Sequence, residues 1–164
     1  MAWKSFFFSF DGRIPRREWW LGTILIIAVS VLLSVVFNPE RWQPVSPRFG
    51  QPNLADVLFS LAFVIPQTAL SVRRFNDRDR LHWVPYAYAL MIVAIVVAEF
   101  FGLIFRRGGD GNGGIDVVLR AAYVFASAVI LVENGMLRGT SGPNAHGPDP
   151  LANRSHQPQK HGGS

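Results

Sequence analysis

The sequence predicts an all-α membrane protein, a bundle of four transmembrane helices with a short interfacial N-terminal segment and a disordered C-terminal tail. Three observations predict it. Of the 164 residues, 49% are hydrophobic and 16% are charged, with a mean hydropathy of +0.22, whereas charged residues make up about a quarter of an ordinary soluble domain. The apolar residues gather into four runs of spanning length, about 20 residues for a hydrocarbon core about 30 Å thick. Between the second and third runs lies Arg73-Arg74-Phe75-Asn76-Asp77-Arg78-Asp79-Arg80-Leu81-His82-Trp83, six of whose eleven residues are charged, which reads as a charged loop pinned between two membrane helices.

The net charge of +5 and pI near 10.4 come from short basic clusters beside apolar runs. Anionic lipid and insertion polarity account for that placement better than nucleic acid does, and no nucleic-acid motif is present. The absence of cysteine excludes disulfides, thiolate metal sites and cysteine catalysis.

Trp3 to Phe10 is aromatic but too short to cross the core, so it is expected to lie along the headgroups. Asp11 to Glu18 is a turn followed by charge, and Trp19-Trp20 falls at the depth of an aromatic belt. Leu21 to Phe37 holds no formal charge, and with Trp20 it makes the first span, about residues 20–37. It ends in Asn38-Pro39-Glu40 rather than a small-residue cleavage pattern, which makes it an anchor and not a signal peptide. Pro39, Pro44, Pro47 and Pro52 break any helix across 38–53 and give a loop.

The second span, 54–72, contains Pro66, Gln67, Thr68 and Ser71. A kink is expected near Pro66, either purely structural or presenting Gln67 to a ligand. The third span, 84–105, is interrupted only by Glu99. Residues 106–114 form a glycine-rich loop whose Asp110-Gly111-Asn112 opens like a calcium loop. Ile115 and Ala121, however, stand where the obligatory glycine and the bidentate glutamate belong, so no metal is expected there. The fourth span, 117–137, carries Arg120 and Glu133 near its two ends, where snorkelling accommodates them. Residues 1–150 thus form a single integral membrane domain, and 151–164 a disordered tail. His146, His156 and His161 lack metal-ligand spacing. No cofactor is expected.

Lysine and arginine set the orientation. Eleven lie before the first span, between spans two and three, and in the tail; four lie in the other two loops (Arg41, Arg48, Arg106, Arg107). Both termini and the central loop are therefore expected in the cytoplasm. Segments 11–20, 73–83 and 139–150 fall on that one face, where helix packing can bring them together.

Those same segments carry a resemblance. Phe10-Asp11-Gly12-Arg13 with Arg16-Arg17-Glu18-Trp19-Trp20, then Leu70-Ser71-Val72-Arg73-Arg74-Phe75-Asn76-Asp77 with Trp83, then Gly139-Thr140-Ser141-Gly142-Pro143-Asn144 with Gly147-Pro148-Asp149-Pro150, resemble the bacterial inner-membrane family called domain of unknown function 805. The resemblance implies a multi-pass protein of the plasma (inner) membrane and supplies no activity. The family's central pattern resembles Arg-Arg-Leu-His-Asp-Thr-Gly-Arg-Ser-Gly-Trp-Trp. Here Phe75, Asn76, Arg78, Asp79, Leu81, His82 and Val84 depart from it. With Asn76 in the histidine's place, proton transfer at that position is lost, because an amide does not titrate.

Two readings stand for Arg73 and Arg74. They pair with Glu18, Asp77 or Asp149 and lock the cytoplasmic face, or they join Arg13, Arg16 and Arg17 in a basic pocket for an anionic lipid headgroup or other anion. Glu99 lies roughly 9 Å of helical rise from the end of span three, at a depth close to Arg120. The two are expected to pair, with Arg106 or Arg107 as the other partners for Glu99; a proton or cation relay is the sharper alternative.

The leading expectation is a non-catalytic membrane protein whose cytoplasmic motif cluster binds lipid or a partner. A small transporter or channel subunit is the alternative. Catalysis ranks last, since no H-E-x-x-H, G-x-S-x-G or histidine–carboxylate motif appears. Expected partners are membrane lipids, anionic ones among them, and a second copy of the chain or another membrane protein.

Overall fold

A computed structural model of the chain describes residues 3–46, 48–81, 83–104 and 113–152. Among these the molecule is all-helical, with one isolated bridge between Asn144 and Gly147. Helix α1 is Trp3–Phe8, α2 Arg16–Phe37, α3 Leu54–Asp77, α4 Trp83–Phe100 and α5 Gly113–Leu131; a 3-10 turn (Pro39–Trp42) follows α2, and a π-helical turn (Val132–Met136) follows α5. Three of the described helices, α2, α3 and α4, are long and apolar enough to cross a membrane. The count of four spans rests on α5. The expected glycine loop around Arg106 and Arg107, Asp110-Gly111-Asn112, His82 and the tail from residue 153 lie outside the described residues.

Helix α3 is the centre, packing on α1, α2 and α4. Its start is built by a capping box: Asn53 accepts from the Asp56 backbone N–H at 3.0 Å while Asp56 accepts from the Asn53 N–H at 3.2 Å, satisfying two of the helix's orphan donors. It passes Pro66 as one helix, with the Thr68 hydroxyl donating to the Val64 carbonyl at 2.6 Å and Gln67 reaching Thr23 of α2 at 3.2 Å.

The boundaries correct three expectations. First, α3 continues to Asp77 rather than stopping at 72. Residues 73–77 are helix and not loop, because their charges find partners where they stand, and only about one turn separates α3 from α4. Second, α2 begins at Arg16, immediately after Pro15 in extended conformation. Third, α4 ends at Phe100 rather than 105. Gly102 adopts φ +66, its N–H donates to the Glu99 carbonyl at 3.0 Å, and the Leu103 N–H donates to Ala98 at 2.9 Å. This is the Schellman arrangement that a left-handed glycine permits.

The tight core sits at one end. Ile14, Trp19, Ile26 and Leu70 are buried together with Phe6, Phe7, Trp20 and Phe63 against them. Trp19 and Trp20 thus turn inward instead of forming the expected belt: Trp20 donates to the Gly135 carbonyl at 3.1 Å and Trp19 faces Ser71 at 3.4 Å. Elsewhere the molecule is inside-out. Leu21, Ile24, Leu25, Leu32 and Val36 of α2 are exposed, as are Val117, Val118, Val124 and Phe125 of α5, the surface expected of helices solvated by lipid tails. Tyr88 of α4 and Ser127 of α5 share a hydrogen bond of 2.9 Å, of the kind that links helices in apolar surroundings.

Candidate functional site

The last turn of α3 buries charge that a membrane helix would ordinarily expel. Arg74 is 1% exposed, Asp77 3% and Arg13 7%. Isolated, each would cost several kcal/mol, on the order of the effective burial penalty for an ion, so the surroundings must supply both counter-charge and hydrogen bonds. They do. Asp77 Oδ2 takes the Arg74 guanidinium one helical turn away, and Oδ1 accepts from Arg13 Nε at 3.0 Å. The remaining guanidinium donors reach backbone carbonyls. Arg13 donates to Thr140 (2.7 Å), Gly142 (2.8 Å) and Gly147 (3.2 Å); Arg74 donates to Asn134 (2.8 Å) and Leu137. The Asp77 carbonyl accepts from both the Thr140 N–H (2.8 Å) and hydroxyl (3.0 Å).

Three stretches far apart in sequence are therefore tied at one carboxylate: the loop before α2, the end of α3 and the segment after the π turn. Gly139 is required there. A Cβ at that position would lie 1.9 Å from Asp77 Oδ2. Asn76 donates to the Phe10 (3.4 Å) and Gly12 (3.2 Å) carbonyls, and its own carbonyl accepts from Asn144 at 2.9 Å. At this place an amide does positioning work and no proton transfer. Arg73 donates to the Ser5 (3.4 Å) and Phe6 (3.1 Å) carbonyls with Glu18 as its nearby counter-charge, which holds α1 against α3. Arg78 pairs with Glu133; burial, with Arg80 adding to it, holds the Arg78 guanidinium below its ordinary value while Asp77 opposes the shift. Asp79 takes φ +52, the left-handed conformation, at the position where the resembling pattern has glycine.

Beside this knot opens a cleft of about 460 Å³ whose walls include Arg16, Arg17, Arg138, Ser141, Asp149 and Leu151. Arg74 and Asp77 form part of its wall but are spent on each other. Arg16 and Arg17 are exposed, as is Arg138, and none of the three makes a hydrogen bond or ion pair with the described residues. Asp149 accepts from the Gly142 (3.0 Å) and Leu151 (2.8 Å) backbone N–H groups. These bonds hold its carboxyl below the usual carboxylate range.

The opposite end of α3 carries a second, smaller network. Asp56, buried, accepts from Ser34 (2.6 Å), from Asn38 (2.5 Å) and from the Asn53 N–H, with Arg41 at 3.4 Å. Nearby, a cavity of about 810 Å³ is lined by Gln51, Glu99, Arg120 and the rings of Phe49, Phe100 and Phe101.

Of the residues the sequence singles out, Arg13, Arg74 and Asp77 meet directly. Arg73 faces Glu18 without touching Asp77, and Arg16 and Arg17 stand apart in the cleft. Asp149 binds backbone and not an arginine. Glu99 and Arg120 share a cavity, and the charges of Arg120 and Arg41 act on Glu99; the ion pairs of the described residues do not include the two together. Sequence reasoning missed Asp56 with Ser34 and Asn38, although Asn53-x-x-Asp56 ahead of an apolar run is a capping-box signature. It also missed Arg138 as a cleft residue.

A family model described as "Protein of unknown function (DUF805)" matches residues 7–148, a range that contains all three segments of the knot. Inner membrane protein YhaH of Escherichia coli strain K12 is 22% identical over 108 residues, 66% of this chain and 86% of the relative. Inner membrane protein YhaI of the same strain is 28% identical over 112 residues, 65% of this chain and 88% of the relative. No solved structure matches.

Proposed function

This chain belongs to the DUF805 family, and from that premise we propose that it is a non-catalytic, multi-pass protein of the bacterial inner membrane whose cytoplasmic-face cleft binds an anionic lipid headgroup. We infer four crossings, α2 to α5, with both termini and the α3–α4 turn in the cytoplasm; the eleven-to-four lysine and arginine bias supports that orientation. The observation that carries the binding reading is the division of labour among the arginines. Arg13, Arg73 and Arg74 are consumed by the fold, while Arg16, Arg17 and Arg138 line one cleft with no hydrogen-bond or ion-pair partner among the described residues. Fork-like donors without a carboxylate fit a phosphodiester.

Lipid is favoured over a soluble anion by what continues beyond the cleft. One and two turns on from Arg17 along α2 come the exposed Leu21, Ile24 and Leu25, an apolar track on which acyl chains can lie while the phosphate stays at the arginines.

The test is native mass spectrometry of the protein extracted from vesicles of phosphatidylglycerol and phosphatidylethanolamine. Arg16→Ala/Arg17→Ala/Arg138→Ala should keep its thermal midpoint and lose retained phosphatidylglycerol. Equal phosphatidylglycerol on wild type and the folded triple variant refutes the reading. A reporter fused after Pro150 should read cytoplasm; a periplasmic signal removes one of the four crossings.

A further inference from the structure

Glu99 stands on the last full turn of α4, at the end of the molecule opposite Asp77, on the wall of the 810 Å³ cavity. It is half-buried, and among the described residues it makes no side-chain hydrogen bond or ion pair. The charges of Arg41 and Arg120 act on it, and Arg41 itself reaches Asp56 at 3.4 Å. Among the described residues that carboxylate has its lone pairs unspent, and the cavity beside it is of ligand size, within the range of about 300–1,000 Å³ usual for small-molecule sites.

The rest of the lining specifies the ligand. Phe100 and Phe101 stand edge to face, 5.4 Å between centroids, and Phe49 is a third ring in the lining. Aromatic faces beside a carboxylate favour a cation, through charge and through the ring quadrupole. Arg120 also lines the cavity and its charge acts on Glu99, so the lining offers an anionic group a guanidinium as well. Gln51 adds donor and acceptor capacity.

We propose that this cavity binds a zwitterion carrying a primary ammonium and a phosphate, the chemistry of a phosphoethanolamine headgroup, with the ammonium on Glu99 and the phosphate toward Arg120. The site is distinct from the arginine cleft: it lies at the other end of α3 and asks for both signs of charge. The ammonium supplies the hydrogen bonds that Glu99 lacks, and its three donors distinguish it from a quaternary ammonium, which has none.

The ligand can arrive in a membrane lipid or as free phosphoethanolamine, and the experiment separates them. The full chain is extracted from vesicles of phosphatidylethanolamine and phosphatidylglycerol, and the bound lipid is counted by native mass spectrometry. Glu99→Gln should reduce retained phosphatidylethanolamine about tenfold, as expected for losing one charge-assisted contact, and leave phosphatidylglycerol unchanged. The wild-type chain provides a second measurement that does not depend on the variant folding. Carbodiimide labelling of Glu99 should be slower in phosphatidylethanolamine vesicles than in vesicles of phosphatidylglycerol or phosphatidylcholine. Protection by free phosphoethanolamine, and not by the lipid, assigns the site to the soluble form of the same chemistry. Labelling at one rate under all these conditions overturns the proposal, as does unchanged phosphatidylethanolamine on a folded Glu99→Gln protein.

Discussion

The two ends of α3 solve the same problem in different ways. Each buries an aspartate, Asp56 at the start and Asp77 at the finish, and each satisfies it with donors that include side chains from other elements. Around Asp56 the donors are a hydroxyl, an amide and a backbone N–H drawn from residues 34–53, with one partly exposed arginine; the network closes a single helical hairpin. Around Asp77 they are two buried guanidinium groups, and the arginines themselves draw in carbonyls from residues 134–147. One network is local and built mostly of neutral donors. The other is long-range and fully ionic, so removing a member should leave far more uncompensated.

Breaking that contrast at its strong end should have the largest effect. Asp77→Ala strands Arg13 and Arg74 without counter-charge and should cost about 3–5 kcal/mol, read as a large fall in thermal midpoint in detergent or as loss of the monodisperse protein. Asp56→Ala tests the weak end. It leaves neutral donors and one partly exposed arginine, Arg41, and should cost about 2–3 kcal/mol, with protease sensitivity appearing around residues 38–53. If the two variants cost the same, the distinction between ionic and neutral networks is wrong. Gly139→Ala sharpens the comparison without touching a charge. Its Cβ meets Asp77 Oδ2, and the overpacking should cost about 2 kcal/mol; an equivalent Gly50→Ala, whose Cβ has open space but whose φ is +76, should cost less.

The smallest effect concerns pH. The folded Asp149 carboxyl sits below its ordinary value because backbone N–H groups at Leu151 and Gly142 favour the anion. Its contribution is therefore present above the unfolded value of about 3.9 and is lost as pH falls through the folded one. Acid titration of the thermal midpoint should show a loss below about pH 4 that Asp149→Asn lacks, and no difference in pH dependence between the two proteins from pH 5 to 8.

Much of this was legible in the chain. Periodless apolar runs gave the helices, charge bias gave a sidedness to test, and three separated motifs pointed to one assembly, which the Asp77 knot brings together. What misled was treating charge as a loop signal. Beyond the Arg74–Asp77 pair itself, Arg73, Arg74 and Asp77 stay helical because their partners come from residues 5–13 and 134–147, and no local window contains those. Nor can sequence tell a guanidinium spent on carbonyls, as Arg13 is, from one left exposed, as Arg17 is. Asp56 went unread for the opposite reason, since a single acid inside an apolar run looks like noise unless the Asn53 cap beside it is noticed. Gly102 likewise carried a stop signal that the apolar residues after it obscured.

The span of the knot has a consequence for biogenesis. Arg13 bonds to carbonyls 127 to 134 residues downstream. During synthesis α2, α3 and α4 therefore enter the bilayer before the partners of their charged ends exist: Asp77 alone must hold Arg74 until Asn134 and Leu137 follow, and Arg13 until residues 140–147 do. Closure is the final event of assembly. A chain truncated before Gly139 would insert yet keep its arginines half-solvated, presenting the membrane's proteases with an unfinished end that the complete molecule hides.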